Sequence, residues 1–274
     1  MRNAHVFNDV TAMILTFNEQ PNIRRTLEKL AWPKEVLVID SFSTDETCEI
    51  ARSALPLRIV QRPFTSFADQ CNFGLTQIST SWVLSLDADY VLSDELIAEI
   101  QGLQPADGVA GYRVRFRYCV NGTPLRASLY PPRAVLYRKD RARYEDDGHG
   151  HRVRIDGRIV ELRGTIFHND RKPLSRWLTA QQKYARMEAT KLLAASAHDL
   201  KFADRIRRKI IIAPALVFFY TLLGRGLILD GWAGWSYVFQ RTLAELILSL
   251  HLIEAKLCRH LPSNSASTGE RDHG

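Results

Sequence analysis

Cysteine is scarce in this 274-residue chain: Cys48, Cys71, Cys119 and Cys258 are scattered, and no two form a C-x-x-C pair. That spacing excludes a disulfide framework and a cysteine zinc site, and it suits a reducing compartment. The opening MRNAHVFNDV has no apolar core segment, so no secretory leader is expected and the front of the protein reads as cytosolic. No uncharged apolar run reaches the ~20 residues needed to cross a hydrocarbon core, and no internal repeat stands out. No glycine-rich loop follows the first apolar segment, where LTFNEQPNI stands instead. This absence argues against dinucleotide-binding and P-loop enzymes, and against sugar nucleotidyltransferases, which carry a Gly-rich, Arg- and Lys-bearing loop there. Basic residues are not interleaved with an aromatic platform, so nucleic acid is not an expected partner.

What is present describes an ordinary folded protein, 46% hydrophobic and 24% charged. The net charge of +7, from 37 Lys and Arg against 30 Asp and Glu, favours anionic partners without naming one. Strand-like and helix-like segments alternate through the first hundred residues, the rhythm of a parallel α/β sheet. VTAMILTF (10–17), EVLVID (35–40), LRIV (57–60) and WVLSLD (82–87) read as strands. Between them, Pro21 opens a helical pattern with Ile23, Leu27 and Leu30 on one face, and Ser43-x-x-Glu46 forms a capping box. Ser66 caps a helix with Phe67, Cys71, Leu75 and Ile78 on its apolar face, and Ser93 starts another. Beyond residue 110, GYRVRFRY (111–118) alternates with period two into an Asn121-Gly122 turn, and RVRIDGRIVEL (152–162) resembles a hairpin around Asp156-Gly157. A long amphipathic helix is expected from Pro173 to about Ala197, burying Trp177, Tyr184 and Leu192.

The fourth strand poses the chemical question, because it runs into Asp87-Ala88-Asp89. Two carboxylates about 4 Å apart repel by several kcal/mol at an effective dielectric of about 20. A divalent cation turns that repulsion into attraction, and Mg²⁺ or Mn²⁺ held by one or two carboxylates completes its shell with water and phosphates. An Asp-x-Asp by itself is a common loop or capping pair; its place at the carboxyl end of a parallel strand, where ligands of open α/β sheets bind, points to a diphosphate. Thr16, Glu19 and Asp40 end the first two strands on the same edge, where carboxylates accept hydrogen bonds from a ribose or base. Asp40 also suits helix capping, since DSFSTDET is full of capping residues.

ILTFNE, VLVIDSFSTDET, FADQCNFGL and VLSLDADY together resemble glycosyltransferase family two, the inverting GT-A fold enzymes, and most of all its bacterial lipopolysaccharide-core and surface-glycan branch. The similarity covers residues 10–100 strongly and 110–190 more loosely. It implies an α/β GT-A fold: a Rossmann-like, mostly parallel sheet flanked by helices, over residues 8–198. It also implies donor-binding roles for Thr16, Glu19, Asp40, Gln70, Asn72 and Asp87, with Asp40 at the base and Gln70 and Asn72 near the sugar or its phosphates. Asp89, with His168 of TIFHND as a further donor, would hold Mg²⁺ or Mn²⁺. Gln70 and Asn72 also suit a plain polar helix face, and a histidine after a strand is often structural. Tyr90 departs from the acidic residue often found at that position in such enzymes.

Inverting transfer requires a general base for the acceptor hydroxyl. The resemblance implies that this carboxylate comes from the second half, where YEDDGHGH (144–151) is the only dense acidic cluster, so Asp147 and then Asp146 are the candidates, with Glu145 beside them. His149 and His151 are placed to orient the acceptor, although a solvated acidic turn with exposed histidines fits the same letters. Arg113, Arg115 and Arg117 share one strand face, suited either to an anionic lipid-linked acceptor or to a solvated sheet edge.

The last third raises a membrane question. KFADRIRRK (201–209) has five basic residues in nine and precedes IIIAPALVFFYTLLG (210–224), a 15-residue uncharged run. RTLAELILSLHLIEAKL (241–257) mixes charges into an apolar helix. Basic residues beside amphipathic helices suggest residues 199–261 lie on the cytoplasmic face of an inner membrane; a helical cap on the sheet is the alternative. The polar tail, 262–274, is expected to be disordered. The leading expectation is a metal-dependent transferase taking a nucleotide-sugar, UDP-linked by preference, to a glycan or glycolipid acceptor of bacterial surface polysaccharide. A transferase acting on a polyprenyl phosphate, and a non-catalytic nucleotide-binding membrane protein, are the alternatives.

Overall fold

The structure is a computed structural model that describes residues 7–147, 150–196, 198, 200 and 202–260. His149, the side chain of Asp147 and the tail 262–274 lie outside the described residues. Strands β1 (Val10–Thr16), β2 (Glu35–Asp40), β3 (Arg58–Gln61), β4 (Trp82–Asp87), β5 (Tyr90–Leu92), β6 (Val109–Val120), β7 (Thr123–Pro124), β8 (Arg133–Arg138) and β11 (Arg158–His168) form one nine-stranded sheet. Its order is β3-β2-β1-β4-β8-β6-β11-β5, with β7 paired to β6. The β3-β2-β1-β4 half is parallel, whereas β8 is antiparallel to both β4 and β6. Strands β9 (Ala142–Asp147) and β10 (Gly150–Ile155) pair only with each other.

Burial on both faces explains why the middles of β1, β2 and β4 are mainly apolar, as in parallel sheets covered by helices. One face packs Ile14, Val38 and Leu84 against α1 (Ile23–Leu27), α2 (Thr47–Ala54) and α4 (Asp94–Gln101). The other packs Met13, Ile39 and Val83 against α3 (Phe67–Thr76) and the β9–β10 ribbon, through Ala68, Cys71 and Tyr144. Ser66 and Ser93 accept from the backbone N–H of Asp69 and Leu96, capping α3 and α4 as the sequence predicts. The turn after β6 has Asn121 and Gly122 both at positive φ, the geometry that Asn-Gly favours.

Three local expectations are corrected. Ser43 and Glu46 make no capping box: α2 starts at Thr47, and the Ser43 hydroxyl donates back to Asp40 instead. Asp156-Gly157 does not close a hairpin, because β10 pairs with β9 while β11 runs parallel to β6. The long helix α5 (Leu174–Ala194) buries Ala185, Glu188, Ala189 and Leu192, whereas Trp177 and Tyr184 are only half-buried.

Downstream, α6 (Phe202–Arg207), α7 (Ile212–Phe219) and α8 (Gly231–His260) join α5 through Ala185, Leu192, Ile210, Leu248 and Leu252. A second cluster of Leu125, Leu222, Leu227, Tyr237 and Val238 fastens these helices to the loop after β7. Among the described residues no single helix is long and apolar enough to cross a membrane; Ile212–Gly224 and Leu227–Cys258 pass that test only together, across a 69° bend.

Candidate active site

Register puts the polar strand ends level. Thr16 faces Asp40 across β1–β2, and Leu15 faces Asp87 across β1–β4. Asp40 is fully buried, and its two oxygens accept from Thr16 Oγ1 (2.9 Å), Ser43 N (2.9 Å), Ser43 Oγ (2.5 Å) and Gln61 Nε2 (3.1 Å). Burial pushes its pKa up, but the hydrogen bonds led by Ser43 outweigh it and hold the carboxyl below its ordinary value. Gln70, also buried, donates to Ser41 Oγ (3.0 Å) and to the Arg62 carbonyl (3.2 Å). Asn72 engages the backbone of Tyr144 at both polar ends, at 3.0 and 2.9 Å, fixing the β9–β10 ribbon to α3.

Glu19 follows the Asn18 turn, which takes positive φ. Its carboxylate meets Lys172 Nζ at 2.6 Å and accepts from Asn22 Nδ2 at 2.9 Å. Burial nevertheless lifts its pKa to about 7, against the pull of Lys172. A carboxyl raised in the folded state contributes stability that is fully present below its unfolded value, near 4.5, and lost as pH rises through 7. Glu19→Gln removes that titration. Between pH 4.5 and 7.5 the wild-type protein is therefore expected to lose stability relative to the variant, as read from metal-free urea midpoints. Parallel curves would contradict this.

Asp89 and His168 meet directly, His168 Nε2 lying 3.2 Å from Asp89 Oδ2. The pair sits where β5 and the end of β11 run antiparallel, His168 opposite Tyr90. Burial raises the Asp89 pKa, but the imidazole beside it holds the carboxyl below the usual range; the carboxylate in turn lifts His168 against burial. The rings of Tyr90, Tyr118 and Tyr130 surround the imidazole, with centroids 5.3, 4.8 and 4.9 Å away. Asp89 Oδ1 and His168 Nδ1 are buried and lack a hydrogen-bond partner. Unpartnered buried polar atoms on a carboxylate and an imidazole suit a divalent cation. Among the described residues no group of three or more His, Cys, Asp or Glu side chains is arranged for a metal. So short a protein donor set fits a cation that takes the rest of its shell from phosphate and water.

The acidic ribbon is sorted by strand alternation. Glu145 turns outward between Arg143 (2.7 Å) and Arg154 (2.8 Å). Asp146 accepts from the Ala68 N–H at 3.4 Å, at the start of α3, and is paired across the ribbon with His151. His151 packs on Phe67 and Tyr144 (5.6 and 5.2 Å) and feels the charges of Asp87, Arg133 and Asp146; burial lowers its pKa. Arg113, Arg115 and Arg117 are exposed on one face of β6, with Arg113 2.9 Å and Arg115 3.8 Å from Glu161.

Sequence reasoning missed Lys172 and Arg133. Lys172 belongs to HNDRKPLSRW, where it is one of three cations. Arg133 stacks over the Tyr130 ring at 4.6 Å and interacts electrostatically with Asp87 and Tyr90. The only local signal for Arg133 was the density of Arg, Tyr and Pro in 126–133. Asn22 and Arg176 were missed as well: Asn22 donates to Asp170 (2.9 Å), and Arg176 donates to the carbonyls of Phe17 and Asn18 (2.7 and 2.6 Å), clamping α5 to the first strand's turn.

The family profile of Glycosyl transferase family 2 matches residues 11–155. A lipopolysaccharide core biosynthesis glycosyltransferase, LpsC of Rhizobium meliloti, is 25% identical over 268 residues, spanning 90% of this chain and 94% of that protein. An uncharacterized glycosyltransferase of Rickettsia bellii is 36% identical over 110 residues, which is 39% of this chain and 37% of the relative. The crystal structure of S. aureus TarS 1-349 in complex with UDP aligns over 92% of both chains at 16% identity, with a TM-score of 0.46.

Proposed function

The chain belongs to glycosyl transferase family 2, and from that premise we propose that it moves a sugar, with inversion, from a UDP-sugar to a glycan or glycolipid acceptor of the bacterial cell surface, at the cytoplasmic face of the membrane. It is a glycosyltransferase; the donor, acceptor and metal are the proposal. The observation that carries it is the Asp89–His168 pair, with one unpartnered buried atom on each residue, at the carboxyl edge of the sheet beside Asp87.

Asp89 and His168 would hold Mg²⁺ or Mn²⁺, which when bound supplies positive charge to the leaving diphosphate. This chain's own residues do the rest. Thr16, Asp40 and Gln70 fix the wall of the nucleoside pocket through Ser41 and Ser43. Lys172 and Asn22 hold the Glu19 carboxylate in place beside that pocket. Asp87, next to Arg133, suits a hydroxyl of the ribose or sugar. Asn72 keeps the acidic ribbon against α3, and Asp147, or after it Asp146, takes the proton from the acceptor hydroxyl. His151 and His149 orient that acceptor, and the Arg113, Arg115 and Arg117 face receives its anionic part. The full-length relative from Rhizobium, a lipopolysaccharide core enzyme by name, supports the same acceptor class.

Incubation with a panel of nucleotide-sugars, with and without Mn²⁺, tests this reading. Slow release of UDP from one UDP-sugar is expected only with the metal, and Asp146→Asn is expected to retain that metal-dependent donor binding. Equal release after chelation would contradict it.

A further inference from the structure

Two apolar stripes lie on the outside of the C-terminal helices. On α8, Phe239, Leu243, Leu246, Leu250, Ile253 and Leu257 recur at helical spacing and are 38% to 64% exposed. They run along about 27 Å of helix. On α7 and its continuation, Ile212, Leu216, Phe219 and Leu223 repeat the spacing and are equally open. Phe218 joins the stripes, lying 5.2 Å from Phe219 and 6.4 Å from Phe239. Soluble monomers rarely leave so much contiguous apolar surface in water. Most acidic groups of these helices are turned away from it, Glu245, Asp204 and Glu188 converging on Arg207 and Asp230 held by Arg126, whereas Glu254 is exposed at the edge of the α8 stripe. Arg205, Arg208 and Lys209, by contrast, are exposed and lead straight into Ile211 and Ile212.

Resting on the transferase reading, we propose that these stripes dock on an anionic lipid bilayer, and that docking sets the loop that completes the active site. The basic edge matches an anionic surface. The 69° bend lets two short stripes lie in one interface, whereas a straight partner helix from a second copy would cover only α8. The coupling is built into residues 225–237, which also carry the open apolar groups Leu229 (69%) and Trp232 (88%). Arg225 Nη2 donates to the Ser128 carbonyl (2.8 Å), and Asp230 accepts from Arg126 N (3.0 Å) and Nε (2.6 Å). Tyr237 accepts from the Leu129 N–H (2.8 Å), and its ring lies 4.9 Å from Tyr118. Immediately beyond Leu129 stand Tyr130, whose ring packs on His168, and Arg133, which faces Asp87. Anything that restrains 225–237 therefore restrains the loop closing over the donor site, and docking shifts that loop toward its closed arrangement.

The test uses the full chain and needs no acceptor. Flotation with phosphatidylcholine vesicles, with and without phosphatidylglycerol, is expected to show binding about tenfold tighter on the anionic ones. The triple variant Leu229→Ser, Trp232→Ser, Leu250→Ser changes only exposed positions; it is expected to keep its circular dichroism and lose vesicle affinity by about tenfold or more. Anionic vesicles are expected to tighten UDP binding in the presence of Mn²⁺. Arg126→Leu should bind vesicles normally yet lose that tightening. No vesicle binding, or a concentration-dependent dimer that the triple variant abolishes, would overturn the docking. Vesicle binding with unchanged UDP affinity would overturn the coupling. Flotation is read without donor, so its failure leaves the transferase reading standing; failure to bind UDP under any condition would strike that reading and the coupling with it.

Discussion

Asp89→Asn is expected to lower metal-dependent transfer by about a thousandfold while the protein stays folded. A cation on the oxygens of the leaving diphosphate would contribute several kcal/mol, and each ~1.4 kcal/mol is a factor of ten in rate. The amide fills the same volume beside His168, but it offers a neutral oxygen in place of a carboxylate and so loses the charge that attracts the cation. Because Asp89 and His168 already form a pair, the variant also leaves the imidazole without its carboxylate, 3.2 Å away in the wild-type protein. Circular dichroism and thermal midpoint should change little; donor hydrolysis with saturating Mn²⁺ should fall to background. Wild-type turnover in the variant would remove Asp89 from the metal-binding role.

Arg207→Ala should have the largest effect on stability. Arg207 reaches Glu245 at 3.0 Å, Asp204 at 3.5 Å and Glu188 at 3.8 Å, and all three carboxylate residues are buried. Removing the cation that all three share leaves these buried acidic groups close together with only Lys191, 3.7 Å from Glu188, beside them, at a cost of about 3 kcal/mol or more. The loss falls on the C-terminal helices, since α5, α6 and α8 each contribute one of those carboxylates. Hydrogen exchange should show residues 202–257 losing protection while β1, β2 and β4 keep theirs. Arg207→Lys should recover part of the loss, retaining the charge without the fork that spans several carboxylates. Unchanged protection in the alanine variant would mean the carboxylates are relieved in another way.

Much of the fold was legible because it rests on short-range patterns. The four parallel strands are continuous apolar runs, and their polar last residues, Thr16, Asp40 and Asp87, share an edge because parallel strands share a polarity. Asp89 and His168 were each marked by following a strand, although only the tertiary fold makes them neighbours. What the sequence could not supply was pairing between distant segments. Asn22 meets Asp170 across 148 positions, and no periodicity encodes such a contact. The Asp156-Gly157 turn carries the right residues for a hairpin, but the choice of partner was decided elsewhere, by the packing of Tyr144 and Val153 on α3 and of Leu162 and Ile166 in the main core. Ser43 was misread for a related reason: a hydroxyl near a helix start can accept from a helix N–H or be drawn to a partner elsewhere, and here it donates to the buried Asp40 carboxylate, a charge-assisted bond.

The link between Asp89 and a nucleoside diphosphate is tested most directly by titrating UDP into the full chain in a calorimeter, first with Mn²⁺ and then after chelation. Binding about tenfold or more tighter with the metal is expected, and Asp89→Asn should abolish the difference. Equal affinity in the two conditions would contradict a metal-bridged donor site at the end of the fourth strand.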